Sequence, residues 1–105
     1  LGTAIDASSR RQLAPAVESA AYFVVAEALT NTVKHACAKH TWVRLHEGTR
    51  ALLVEVGDDG RGGADEAGAG LAGLRARVEA LDGHLHVESP PGGGTVVEAS
   101  LPCGW

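Results

Sequence analysis

Between Pro15 and Ala38 the apolar residues recur with the period of an α-helix: Val17, Ala21, Val24, Val25, Ala28, Leu29, Thr32 and Ala36 fall on one broad arc. Pro15 suits the first turn of that helix, where its missing N–H removes no hydrogen bond. Such an arc predicts a helix laid on a sheet. Two strand patterns follow, Thr41 to Glu47 and Ala51 to Asp58, joined by Gly48-Thr49-Arg50 as a hairpin turn. In the second, Leu52, Val54 and Val56 alternate with Leu53, Glu55 and Gly57, which gives one apolar face and one mixed face. From Gly57 to Gly73 the chain shifts to Gly, Ala and Asp, with Leu71 its only large apolar residue, and this predicts a mobile loop whose first part nothing holds rigid. Leu71, Leu74, Val78 and Leu81 mark a second helix with Arg75, Arg77 and Glu79 on its other face and Gly83 as its left-handed cap. Leu85 and Val87 then alternate with His84, His86 and Glu88, and a Pro90-Pro91-Gly92-Gly93-Gly94 turn leads into Thr95 to Leu101, a final hairpin. Leu1 to Ile5 reads as the remnant of a strand from a longer protein.

At 105 residues, with 45% hydrophobic residues, the chain has room for one small domain and one two-layer core. Cys37 and Cys103 form no C-x-x-C pair and read as thiols of a reducing compartment. No apolar run approaches the roughly 20 residues that span a bilayer, and no signal-peptide pattern opens the chain, so a soluble piece is expected. Nine Lys and Arg against 13 Asp and Glu give a formal net charge of -4, which offers no footprint for the phosphate backbone of nucleic acid.

Four local groupings carry candidate chemistry. Glu27, Asn31 and Lys34 lie on one narrow stripe bordering the apolar arc. Their carboxylate and amide oxygens suit a hard cation such as Mg²⁺ that shares its shell with phosphates, and Lys34 would meet those phosphates. The bland reading is a solvated helix edge with an ordinary ion pair. Asp58-Asp59-Gly60-Arg61-Gly62 follows an apolar strand, so Asp58 can accept from a ligand donor while the glycines let the backbone approach; equally, Asp-Gly is a common turn. Gly68-Ala69-Gly70-Leu71 stands before the second helix, whose first N–H groups form a natural phosphate seat. Neither a P-loop nor a dinucleotide fingerprint is present. Gly93-Gly94-Thr95 opens the last strand with a hydroxyl that either meets a ligand or closes a hairpin. His84 and His86 lack a third ligand and read as solvated, and no hydrolase motif occurs.

Taken in order, Glu27-Ala-Leu-Thr-Asn31-Thr-Val-Lys34-His35-Ala36, Asp58-x-Gly60-x-Gly62, Gly68-x-Gly70-Leu71 and Gly94-Thr95 resemble the N, G1, G2 and GT boxes of the GHKL ATPases. The run from Gly70 to Gly83, followed by Val87-Glu-Ser-Pro-Pro-Gly-Gly-Gly-Thr95, is similar to the nitrate-sensor class of two-component histidine kinases. The resemblance implies the Bergerat fold, a two-layer α/β sandwich with a mixed sheet and helices on one face. It treats residues 1–105 as one ATP-binding catalytic domain without the dimerisation helix and its phosphoacceptor histidine. In such a domain Asn31 coordinates Mg²⁺ with Glu27 supporting the metal shell, and Lys34 reaches phosphate. Asp58 accepts from the adenine amino group, and Gly60 and Gly62 let the chain pass close to the base. Gly68, Gly70 and Leu71 present the helix N-terminus to the triphosphate, and Thr95 closes the adenine side.

The implied activity is transfer of the γ-phosphoryl group of ATP to a histidine on the separate dimerisation domain of a sensor kinase, with a response regulator downstream. A cytoplasmic location without direct membrane contact goes with it. Three departures stand out. His35 belongs to the N box and is not the acceptor, Gly63 stands where relatives often carry a large apolar residue, and Asp82 replaces a frequent glycine before Gly83. An anti-sigma-factor-type serine kinase, a nucleotide-binding regulatory module without transfer activity and a plain interaction domain are the alternatives. The segment from Arg61 to Ala69 is expected to be the least ordered internal stretch.

Overall fold

The computed structural model describes residues 2–7, 14–32, 38–63 and 69–103. Seven elements run in the order β1 (Gly2–Ala7), α1 (Pro15–Asn31), β2 (His40–Glu47), β3 (Ala51–Asp58), α2 (Ala69–Glu79), β4 (His84–Glu88) and β5 (Thr95–Pro102). They build a five-stranded sheet in the order β1-β2-β3-β5-β4. β1 runs parallel to β2, and the other three pairings are antiparallel, so the sheet is mixed. This is the α/β sandwich with helices on one face that the sequence predicts.

Alternation decides which face the helices cover. Thr41 and Val43 of β2, Leu52, Val54 and Val56 of β3, Leu85 and Val87 of β4, and Val97, Ala99 and Leu101 of β5 are buried on one side. Against them α1 sets Val17, Ala20, Ala21, Val24 and Ala28, and α2 sets Leu71, Leu74 and Val78. The alanines let α1 lie close to the strands, while the branched residues between them fill the space left. Val25 and Leu29, on the predicted arc, are only partly buried against this core, whereas Ala20 is fully inside.

Among the described residues, neither helix packs on the opposite face. There the Trp42 indole lies across Gly57, where a Cβ would collide with the ring, and its Nε1–H donates to Glu55 Oε2 at 2.9 Å. Arg44 Nη1 donates to the same oxygen at 3.1 Å. Glu55 and Glu98 are cross-strand partners, and like charges set opposite one another repel. Arg44 is placed to offset that repulsion.

Several predicted boundaries move. The long helix ends at Asn31, with Thr32 as its C-cap, and Ala38 is not helical. Residues 33–37, with Lys34, His35, Ala36 and Cys37, lie outside the described residues. Arg75 and Arg77 do not simply face water. Arg75 Nη1 donates to Leu85 O at 2.9 Å. Arg77 Nη2 donates to Ser19 Oγ at 3.0 Å, with its guanidinium 4.5 Å from the Phe23 ring centroid, so it ties α2 to α1. Among the described residues no helix is long and apolar enough to cross a membrane.

The cap of α2 also differs. Asp82, not Gly83, takes the left-handed conformation, at φ 61°. Gly83 is required for space: a Cβ there would meet the Ser100 carbonyl and Val78 Cγ1. Asp82→Gly removes a side-chain penalty and should raise stability by about 1 kcal/mol. Gly83→Ala should lower it by about 1–3 kcal/mol. Thermal melts of the two variants check this, and opposite signs are expected.

Candidate nucleotide site

Asp58 ends β3 on the helix-covered side of the sheet and is only 5% exposed. A carboxylate so placed needs donors. Its Oδ1 accepts from the Gly60 N–H at 2.8 Å, and its Oδ2 accepts from the Thr32 hydroxyl at 3.1 Å. Cross-strand register sets Thr41 on one side of it and Thr95 on the other. Thr95 Oγ1 lies 2.6 Å from Ser89 Oγ, which joins the start of β5 to the end of β4. Gly94, at φ 77°, packs so closely on the Asp58 carbonyl that a Cβ would overlap it.

The other wall comes from the two helices. Glu27 and Asn31, one turn apart on α1, are both half-buried. Across from them Gly70 approaches until a Cβ would lie 3.3 Å from Asn31 Oδ1 and 3.6 Å from Nδ2. Gly70 and Leu71 belong to the first turn of α2, not to a loop before it, and the N–H groups of a first turn have no partner within their own helix. Gly68, like Lys34, lies outside the described residues.

The loop after β3 is held at its root, contrary to expectation. Gly57 and Asp58 are part of the strand, the Gly63 N–H donates to Ser89 O at 2.8 Å, and the Gly92 N–H donates to Arg61 O. Gly62, at φ 66°, fits under the carbonyls of Pro90 and Gly94, where any side chain would collide. Gly63, at φ 71°, has open space around it, so conformation alone favours glycine there. Of the predicted mobile stretch, residues 64–68 lie outside the described residues.

The sequence pattern leaves the roles of three residues unassigned: Thr32, which falls on the apolar arc, Ser89, which precedes the Pro90–Gly94 turn, and Asp59, which stands in the Asp58–Gly62 run. Asp59 Oδ1 accepts from the N–H groups of Lys39 and His40, both at 2.9 Å, and its Oδ2 meets His40 Nδ1 at 2.9 Å. Asp59 thus anchors the start of β2.

A helix end, a strand end and a glycine-led helix start meeting at one rim of such a sheet define a nucleotide-binding α/β sandwich. The chain belongs to the histidine kinase-, DNA gyrase B- and HSP90-like ATPase family, whose profile matches residues 16–104. It is 38% identical over 90 residues to the signal transduction histidine-protein kinase/phosphatase DegS of Brevibacillus brevis, covering 82% of this chain and 23% of that protein. To the sensor histidine kinase YdfH of Bacillus subtilis it is 33% identical over 88 residues, 77% of this chain and 22% of that one. Among solved structures, the histidine kinase domain of a blue-light-activated histidine kinase from Erythrobacter litoralis superposes with a TM-score of 0.82 at 25% identity, over 96% of this chain and 51% of that one. The histidine kinase AdeS of Acinetobacter baumannii shares the fold, with a TM-score of 0.81 at 16% identity over 99% of this chain and 55% of that one. The chain thus spans 23% or less of the curated relatives described here.

The His40 backbone N–H and imidazole, with the Lys39 N–H, hold the Asp59 carboxyl down to about 2 from 3.8. Because its folded value is the lower one, Asp59 stabilises the fold fully above about pH 4, and that contribution is lost as the pH falls through 2. The melting-temperature gap between wild type and Asp59→Ala should therefore shrink as the pH falls from 5 toward 2. A gap that widens toward pH 2 would contradict the assignment.

Proposed function

We propose that this domain binds Mg-ATP at the rim formed by α1, β3, α2 and β5 and donates the γ-phosphoryl group to a histidine of the parent sensor kinase. The convergence of Asn31, Thr32, Asp58, Gly70, Gly94 and Thr95 at one end of the sheet, from four separate elements, carries this reading. Asp58 would accept from the adenine amino group, with Gly60, Gly62 and Thr95 bounding the base. Gly70 and Leu71, with Gly68 before them, would offer N–H groups to the phosphates, and Lys34 would add a cation.

The donor set fits Mg²⁺. Glu27 and Asn31 supply hard oxygens, and the bare Cα of Gly70 leaves open the space in front of the Asn31 amide. Among the described residues no group of three or more His, Cys, Asp or Glu gathers, which matches an ion that takes few protein ligands and completes its shell with phosphate and water. Bound there, Mg²⁺ would neutralise charge on the phosphates. The chain's own residues would position the nucleotide: Asp58 would fix the base at one end and the first turn of α2 the phosphates at the other, leaving the γ-phosphoryl group to meet the acceptor. A lone pair of the acceptor imidazole then forms the P–N bond while the bond to the β-phosphate oxygen breaks, and ADP leaves. Positioning and charge neutralisation supply most of the acceleration in such transfers.

The acceptor lies on a dimerisation domain of the parent kinase, a response regulator receives the phosphoryl group, and the domain works in the cytoplasm. The order of the boxes and the similarity to DegS and YdfH support this reading, and the tail sequence supports the nitrate-sensor class.

Calorimetry should show ATP and ADP binding that weakens in chelator, and Asn31→Ala should lose the Mg²⁺-dependent part while melting like wild type. The isolated chain should carry no acid-labile phosphate, yet label an added dimerisation helix in trans. ATP should bind at least about tenfold more tightly than GTP, since guanine sets a carbonyl oxygen against a buried acceptor. Asp58→Asn should narrow that gap. Equal binding of GTP by wild type would remove Asp58 from the base site.

A further inference from the structure

Thr32 is 4% exposed and has one hydroxyl proton, yet two acceptors lie in reach: Ala28 O and Asp58 Oδ2, both at 3.1 Å. The Ala28 carbonyl already receives the Thr32 backbone N–H, which it shares with Leu29 O. The acceptor that gains most from the hydroxyl is therefore the carboxylate, because hydrogen bonds to charged groups are the stronger ones. With Gly60 N–H on Oδ1 and Thr32 O–H on Oδ2, each oxygen of Asp58 is held by a donor from a different element. Two donors on two oxygens fix the rotation of the carboxylate plane. One donor does not.

We infer that Thr32 is a positioning residue for base selection: its hydroxyl pins Asp58 so that the carboxylate offers only fixed acceptors to the bound base. This rests on the reading of the site as an adenine-nucleotide site. A pinned carboxylate rewards the amino group of adenine and repels the carbonyl oxygen that guanine puts in its place. Freed from Thr32, the carboxylate can turn its unheld oxygen aside, which loosens the grip on adenine and relieves the clash with guanine. Thr32 also follows Asn31 directly at the end of α1, so the same helix terminus serves both the base and the phosphate side.

The test compares Thr32→Val and Thr32→Ser in the 105-residue chain, with ATP and GTP titrated calorimetrically in Mg²⁺. Thr32→Val keeps the volume and removes the donor, so ATP binding should weaken about tenfold while GTP binding changes less than threefold. Thr32→Ser restores the hydroxyl and should keep the wild-type ratio of ATP to GTP affinity. Thr32→Ala serves as the donor-free partner of Thr32→Ser if the valine variant melts early, and the ratio should then fall between serine and alanine. Equal losses for ATP and GTP, or an unchanged ratio in the donor-free variants, would reduce Thr32 to packing and overturn the inference while leaving the ATP site standing. A wild-type chain that binds neither nucleotide would overturn both.

Discussion

Burial of the Asp58 carboxylate is the constraint around which this domain is arranged. A charged group taken out of water at the end of a strand must be given donors, and each donor fixes a separate part of the chain. Gly60 turns its backbone N–H back toward the strand it has just left, which sets the path of the loop. The end of α1 comes down to bring the Thr32 hydroxyl into range. The start of β5 passes so close to the Asp58 carbonyl that only glycine fits at position 94. Along β2 to β5 the burial otherwise alternates, and Asp58, the one charged core position among the described residues, decides where the helices and turns converge.

Much of this was legible in the residues. The α1 arc and the alternation in β3 are readable because burial on one face leaves a strict period, and the β2–β3 and β4–β5 hairpins follow from short turns, whereas the β1–β2 and β3–β5 pairings join strands distant in sequence. The order of the boxes pointed to the family at a level no single glycine could. Hydrogen bonds made by residues with two plausible environments were harder to see. A threonine on an apolar arc looks the same whether its hydroxyl satisfies its own helix or reaches 26 residues along the chain to a carboxylate, as Thr32 does. The pattern places Arg77 on the outer face of its helix and no further, because its partners, Ser19 and Phe23, lie on another helix. At the end of α2 the glycine was read for its backbone freedom, yet Gly83 is there for space and Asp82 carries the left-handed turn.

Glycine does different work at neighbouring positions of the site. Gly62 combines a left-handed backbone with a roof of carbonyls, Gly63 needs only the backbone, and Gly70 needs only the space before Asn31. The β4–β5 turn and the loop after β3 hold each other through backbone bonds, so the root of that loop moves with the sheet.

The indole of Trp42 occupies the room that a side chain at position 57 would need. Those two sites therefore share one volume, and substitution at either is conditional on the other. A lineage could place a bulky residue at 57 only after shrinking position 42, and the intermediate would leave Glu55 without the indole N–H. Across descendants of this sequence, the pair should drift as one character, with the tryptophan–glycine combination persisting because every single-step exit passes through a collision or a hole.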